Sequence, residues 1–244
     1  FIWEVGITPN RGDCMSYLGI ARELSGYFNK KLKNKKSNLK PTITNILNAD
    51  SGKIKECNSY GSVEIENFTV TNSSFQMRYR LTKVGTRIIN NVVDITNYIL
   101  YDIGQPLHAF DRDKLFGTIS VRKAKSKEKI TTLDSQVRKL DSNDLIITDN
   151  DKPIALAGVM GGLETEVTDS TTNLLIESAY FDKVSIMKTS RKLNLISDAS
   201  IRFERGIDYK IQRYGLEQFL MQLKNNQSIN YSEINVDLSL IHIW

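Results

Sequence analysis

The sequence predicts an α+β fold, on three observations. Short stretches of strand character, among them "VEIENFTV", "ISVRKAK" and "NLLIESAYF", are scattered along the chain. Separate segments carry the three-to-four-residue apolar spacing of amphipathic helices. The two types follow no regular strand–helix–strand order and no segment repeats, so a doubly wound parallel sheet is not expected.

The elements can be justified in chain order. Cys14, Leu18, Ala21, Leu24 and Phe28 recur on one helical face. Pro9 and Gly12 suit a tight turn leading in, and Asp13 is placed to cap the helix with its carboxylate. Residues 29–59 are rich in Lys and Asn, contain Pro41 and read as a linker or irregular insertion. From Tyr60 onward the alternation of "VEIENFTV" predicts a strand. Val92, Ile95, Ile99 and Leu100 predict a helix over 91–101, ended by Gly104 and Pro106. Strands follow in "ISVRKAK", "KITTLD" and "DLIITDNDKPIALAGVM", the last folded back at Asn150-Asp151-Lys152. "NLLIESAYF" (173–181) is a further strand, and "DKVSIMKTSRKL" a helix capped by Asp182. "ISDASIRFERGID" reads as a loop entering another helical turn. Ile211, Tyr214, Phe219, Leu220 and Leu223 mark a last amphipathic helix.

Composition narrows the function classes. With 244 residues, 40% apolar and 25% charged, the chain can bury a sizeable core. No stretch approaches the roughly 18 apolar residues of a membrane span, and no signal sequence is legible. A cytoplasmic location without membrane contact is the expectation. The first residue is Phe1, so a longer parent chain is expected. Cys14 and Cys57 have no metal-ligand spacing and are expected as reduced, packed thiols. The net charge of +5 suits a polyanionic partner such as RNA. Basic residues gather at Lys30, Lys31, Lys33, Lys35, Lys36 and Lys40, and at Arg122, Lys123, Lys125, Lys127 and Lys129. Each run reads first as a solvated linker or loop.

Motifs exclude several chemistries. Arg11-Gly12-Asp13 matches an adhesion tripeptide, but its place at a helix start argues for architecture. The glycines of "GVMGG" lack the Lys-Ser/Thr of a phosphate loop and the spacing of a dinucleotide fold. With two histidines, His108 and His242, and no cysteine pair, a zinc site is not expected. No G-x-S-x-G nucleophile elbow occurs, although a Ser-His-Asp arrangement stays open. Small and polar residues collect at strand ends: Gly161, Gly162, Glu177, Ser197, Asp198, Ala199 and Ser200. Glu177 interrupts an apolar strand, where a carboxylate is costly unless it is paired or faces outward.

"ITPNRGDCMSYLGIARELSG", "RIINNVVDITNYILYDIGQPLHAFDRDKL", "ALAGVMGG", "LLIESAYFD" and "SDASIRFERGID", in that order and spacing, closely resemble the β subunit of bacterial phenylalanyl-tRNA synthetase. The resemblance implies the end of a first, helical domain over 1–32, a basic linker over 33–59, a B3/B4-type editing domain over 60–226 and a tail over 227–244 whose last residues, 238–244, leave the family pattern. It implies a short N-terminal helical segment followed by a mixed-sheet, barrel-like core with peripheral helices. The family's enzyme is a heterotetramer of two α and two β subunits that uses ATP and Mg2+ to charge tRNA(Phe), with activation in the α subunit. Its B3/B4 module hydrolyses tyrosyl-tRNA(Phe).

Carried over by resemblance, Glu177 would accept the tyrosine hydroxyl, while Gly161 and Ala199 would line the ring pocket. His108 and Ser197 would sit near the ester and terminal adenosine, with Arg87 and Asn97 as positioners. Many family members carry Thr where this chain has Ser197. No metal or cofactor is implied within these residues. His108 can be read as a general base or as an orienting group. The alternative function is a scaffold or RNA-contacting module without hydrolytic activity.

Overall fold

A computed structural model of the chain describes residues 2–33, 39–44 and 46–238. Lys35, Lys36, His242 and the apolar terminal residues 239–244 lie outside the described residues. The elements run α1 (Tyr17–Tyr27), β1 (Cys57–Glu66), α2 (Phe75–Lys83), α3 (Asn91–Ile103), β2 (His108–Asp111), β3 (Ile119–Lys123), β4 (Lys129–Thr131), β5 (Val137–Lys139) and β6 (Leu145–Asp149). They continue with β7 (Lys152–Leu156), β8 (Met160–Gly161), β9 (Leu174–Phe181), α4 (Lys183–Lys192), α5 (Asp198–Arg205), α6 (Gln212–Lys224), β10 (Asn230–Tyr231) and β11 (Asn235–Leu238).

The α+β class holds, but the sheets are neither mixed nor closed. A five-stranded sheet runs β10-β1-β9-β2, with β11 also on β1; a four-stranded sheet runs β3-β6-β7-β8; β4 and β5 form a hairpin. Every pairing between these strands is antiparallel, and among the described residues parallel pairing is confined to the isolated bridges Ile43–Ser232 and Ala49–Ile119. Open sheets buried on both faces replace the expected barrel.

β9 shows how the sequence builds the layers. Its side chains alternate between the two faces of the larger sheet. Leu174 and Ile176 join Val63 and Ile65 of β1 against Val92, Ile95, Leu216 and Phe219 of α3 and α6. Leu175, Ala179 and Phe181 share the other core with Val121, Ile147 and Leu156 of the smaller sheet. Each such buried side chain contributes roughly 1.5–3 kcal/mol. The candidate site lies in this second core.

Several boundaries are set by caps. Asn90 accepts from the Val93 N–H to start α3, and Gly104, at φ 82°, ends it. Asp182 accepts from the Ser185 N–H to start α4, as expected. Asn150 and Asp151 both take positive φ (44° and 72°), the conformation of a two-residue hairpin turn between β6 and β7.

At the N-terminal helix the structure departs from the sequence reading. Ser16, not Asp13, caps α1, accepting from the Gly19 N–H at 3.0 Å. Asp13 lies in a preceding 3-10 turn and is gripped by Arg11, whose guanidinium also reaches Glu23 at 2.6 Å. That pairing holds the Asp13 carboxyl down near 2. Arg11 and Asp13 are substantially exposed, as are Leu24 and Phe28, so neither the tripeptide nor the whole predicted apolar face is buried among the described residues. In the stretch read as linker, β1 begins at Cys57, Ala49 is buried in the second core and the Leu47 N–H donates to Glu64.

Candidate active site

Antiparallel register assembles the site. His108 of β2 stands directly opposite Glu177 of β9, so the two side chains leave the sheet on the same face. Opposite them, the smaller sheet presents β8 with Gly161, and the first turn of α5 presents Ala199. A recess opens among His108, Gly161, Glu177, Ala199, Met160 and Phe203. Its remaining lining is apolar, and it contains no serine, threonine or cysteine.

Burial dominates the electrostatics. Glu177 is 5% exposed, and no hydrogen bond to its carboxyl is formed among the described residues. Desolvation pushes this carboxyl up to about 8, so it is mostly protonated at neutral pH. The same effect pushes His108 down to about 4, leaving a neutral imidazole. Phe110 meets that imidazole edge-on, with ring centroids 4.5 Å apart.

Gly161 is required by a close approach. A Cβ there would fall 2.4 Å from His108 Cε1 and 2.6 Å from Nε2. Against His108, even a methyl at this position forces the imidazole to shift. Ser197 does not line the recess. It caps α5, where its Oγ accepts from the Ser200 N–H and donates to the Val159 carbonyl, each at 3.1 Å. Val159 is a wall residue, so Ser197 acts on the recess through backbone. Arg87 is exposed in the α2–α3 connection and Asn97 is half-buried on α3; neither lines the recess.

Sequence reasoning missed Tyr60. Its Cα pairs with Ala179 of β9, which places its side chain on the same face as Glu177. It is fully buried, its hydroxyl has no hydrogen-bond partner among the described residues, and burial raises its pKa well above the usual value, with the charge of Glu177 adding to the effect. Strand alternation carried the signal; nothing local distinguished a polar role from plain core. Asp13, Cys14 and Glu23 lie close enough to hold an ion, but Arg11 donates to all three.

A family model described as the B3/4 domain matches residues 56–227. The chain belongs to the B3/4 domain family. Relatives agree with the resemblance read from the sequence blocks. The phenylalanine–tRNA ligase β subunit of Carboxydothermus hydrogenoformans is 46% identical over 91% of this chain and 28% of its own length. That of Fusobacterium nucleatum is 43% identical over 85% of this chain and 26% of its own. This B3/4 chain therefore spans just over a quarter of the length of the curated relatives it matches. An N-terminal fragment of the phenylalanyl-tRNA synthetase β-subunit from Pyrococcus horikoshii overlays 92% of this chain and 60% of that one at 14% identity, with a TM-score of 0.47, too remote to argue from. Among the described residues no helix is long and apolar enough to cross a membrane.

Proposed function

We propose that this B3/4 domain hydrolyses tyrosine wrongly esterified to tRNA(Phe), as part of a synthetase β subunit that works with an α subunit in the cytoplasm. The observation that carries the reading is Glu177, a buried carboxyl with no hydrogen-bond partner among the described residues, at the wall of a largely apolar recess. A tyrosine ring entering the recess would satisfy that carboxyl through its hydroxyl, whereas phenylalanine would leave it unpaired. Sites built to hydrogen-bond a hydroxyl reject the analogue lacking it by about 10⁴–10⁵-fold, against about 10²-fold for an apolar pocket facing an added hydroxyl. A charging site shaped for phenylalanine therefore benefits from a second site of this kind.

The wall residues favour attack by water over a covalent intermediate, since they include no serine, threonine or cysteine nucleophile. A neutral His108 near 4 is a weak base at pH 7. Its suited role is to orient the ester or the water by hydrogen bonding. Ser197 would fix the Val159 wall, and Arg87 and Asn97 would act outside the recess. ATP and Mg2+ would serve the charging reaction elsewhere in the assembly.

The test is deacylation of tyrosyl-tRNA(Phe) by the complete enzyme, wild type against Glu177→Ala, with phenylalanyl-tRNA(Phe) as control. Tyrosyl-specific hydrolysis that the substitution impairs supports the reading. An active synthetase with no such hydrolysis leaves the scaffold reading, which the capping use of the Ser197 hydroxyl favours.

A further inference from the structure

The helix α2 carries a surface that the recess does not explain. Met77 and Leu81 bury one face of it. The opposite face holds Phe75 (76% exposed) and Tyr79 (51% exposed), one helical turn apart, with near-parallel rings at 6.1 Å and 19°. Lys83, a turn further on, places its Nζ 4.4 Å over the Tyr79 ring. Two large aromatics held parallel in solvent are an unusual use of apolar area for a monomeric surface.

The charge around them has one sign. Between Glu66 and Asp94 the chain contains no acidic residue, and Arg78, Arg80, Lys83 and Arg87 supply cations. None of these four forms a salt bridge among the described residues. The sequence-level basic cluster at 122–129 is different: Arg122 pairs with Glu128 and Asp151, Lys123 with Glu56, and Lys125 with Asp151. Arg122, Lys123 and Lys125 are each ion-paired there, while Arg78, Arg80 and Lys83 of α2 form no salt bridge among the described residues.

The inner side of α2 is linked toward the recess by side-chain contacts. Behind α2, a groove runs between α1 and α3, lined by Tyr17, Arg80, Leu81, Tyr98, Tyr101 and Asp102. Arg80 donates to the Tyr98 hydroxyl at 2.8 Å. The Tyr101 hydroxyl donates to Asp198 at 3.2 Å, and Asp198 is the neighbour of the recess residue Ala199. Asp198 is itself paired with Arg202, whose guanidinium lies 5.0 Å from the Tyr101 ring centre.

We propose that the Phe75–Tyr79–Lys83 face of α2 is a stacking platform for single-stranded RNA, the unpaired acceptor end of the tRNA whose ester enters the recess. The Phe75 ring, the more exposed of the two, offers a π-face to a base, with Tyr79 stacked on it and Lys83 over Tyr79, and cations without a salt bridge among the described residues follow the phosphates. The proposal rests on the hydrolytic reading for the identity of the RNA, but not for its binding.

Binding of a short, fluorescein-labelled, unstructured RNA to the full chain is followed by anisotropy, for wild type, Phe75→Ala/Tyr79→Ala and Lys83→Gln, with the same RNA as a duplex for comparison. The aromatic variant is expected to weaken single-strand binding by roughly tenfold or more, with duplex binding unchanged. Lys83→Gln should lower the salt slope by about 0.7. Both rings are largely exposed, so an unchanged urea midpoint verifies folding. In the complete enzyme the aromatic variant should raise KM for tyrosyl-tRNA(Phe) at constant kcat, while hydrolysis of the short ester tyrosyl-adenosine stays at the wild-type rate. Equal single-strand affinity in wild type and aromatic variant overturns the proposal. So does a loss shared equally by the duplex, or retained RNA binding with loss of the α subunit, which would make the face a protein interface. Failure of wild type to hydrolyse either ester refutes the hydrolytic reading alone, since RNA binding is read directly.

Discussion

Replacing Glu177 by Gln should change how stability depends on pH, and the sign follows from the recess. The folded carboxyl titrates at about 8, against an ordinary value of 4.5. Below 4.5 both folded and unfolded forms are protonated, and the stability is fully present. As pH rises toward 8 the unfolded carboxyl ionises and the folded one does not, so stability is lost across that window. The full shift corresponds to a loss on the order of 5 kcal/mol. His108 works the other way: its ordinary 6.5 falls to about 4, so its contribution is present above 6.5 and lost as pH falls. From about pH 4.5 to 6.5 the two slopes oppose one another; from 6.5 to 8 Glu177 acts alone and costs roughly 2 kcal/mol. Urea unfolding measured from about pH 5 to 9 gives the test, with the wild-type minus Glu177→Gln difference as the readout. That difference should fall as pH rises to 8 and then flatten. A difference that stays flat, or rises, refutes the assignment of a buried, unpaired carboxyl.

Other outcomes follow from named contacts. Gly161→Ala should lower stability by about 1–3 kcal/mol, because its methyl collides with His108, and should impair hydrolysis of the tyrosyl ester in a deacylation assay. Ala199→Trp should fill the recess and abolish that hydrolysis while moving the urea midpoint little, since Ala199 is only half-buried. Ser16→Ala should cost about 1 kcal/mol by removing the cap of α1. Asp13→Ala should cost between about 0 and 1 kcal/mol, as an exposed pair does, and leave cell attachment unchanged; paired thermal melts distinguish the two helix-start variants.

Much of this fold was legible because its strands and helices carry strong local patterns. The apolar run of β9, the Asn150-Asp151 turn and the Asp182 cap were each readable from a few residues. The α2 helix was not, because Met77 and Leu81 alone mark its buried face and its outer face carries the aromatics. The helix-start reading at Asp13 failed because Arg11 holds the Asp13 carboxylate in a preceding turn, and Ser16, three residues on, caps α1 instead. For the site, the resemblance named His108, Gly161, Glu177 and Ala199, which the register of β2 on β9 and the packing of β8 and α5 bring together. What no local pattern could give was the pairing itself. Strand neighbours lie far apart in sequence, so the opposed protonation preferences of His108 and Glu177, and the buried Tyr60 hydroxyl, emerge only in three dimensions.

The contact between His108 and the bare backbone of Gly161 joins one sheet to the other, and it works as a calliper. The imidazole rests directly on the opposing strand, so the width of the recess is gauged by a single ring thickness. Sliding or swelling of the smaller sheet would be registered first as a tilt of that ring, before any wall residue repacked. The imidazole proton resonances of His108 therefore offer a local gauge of sheet separation. Positions 108 and 161 should also tolerate change only together, a smaller side chain at one making room for a methyl at the other.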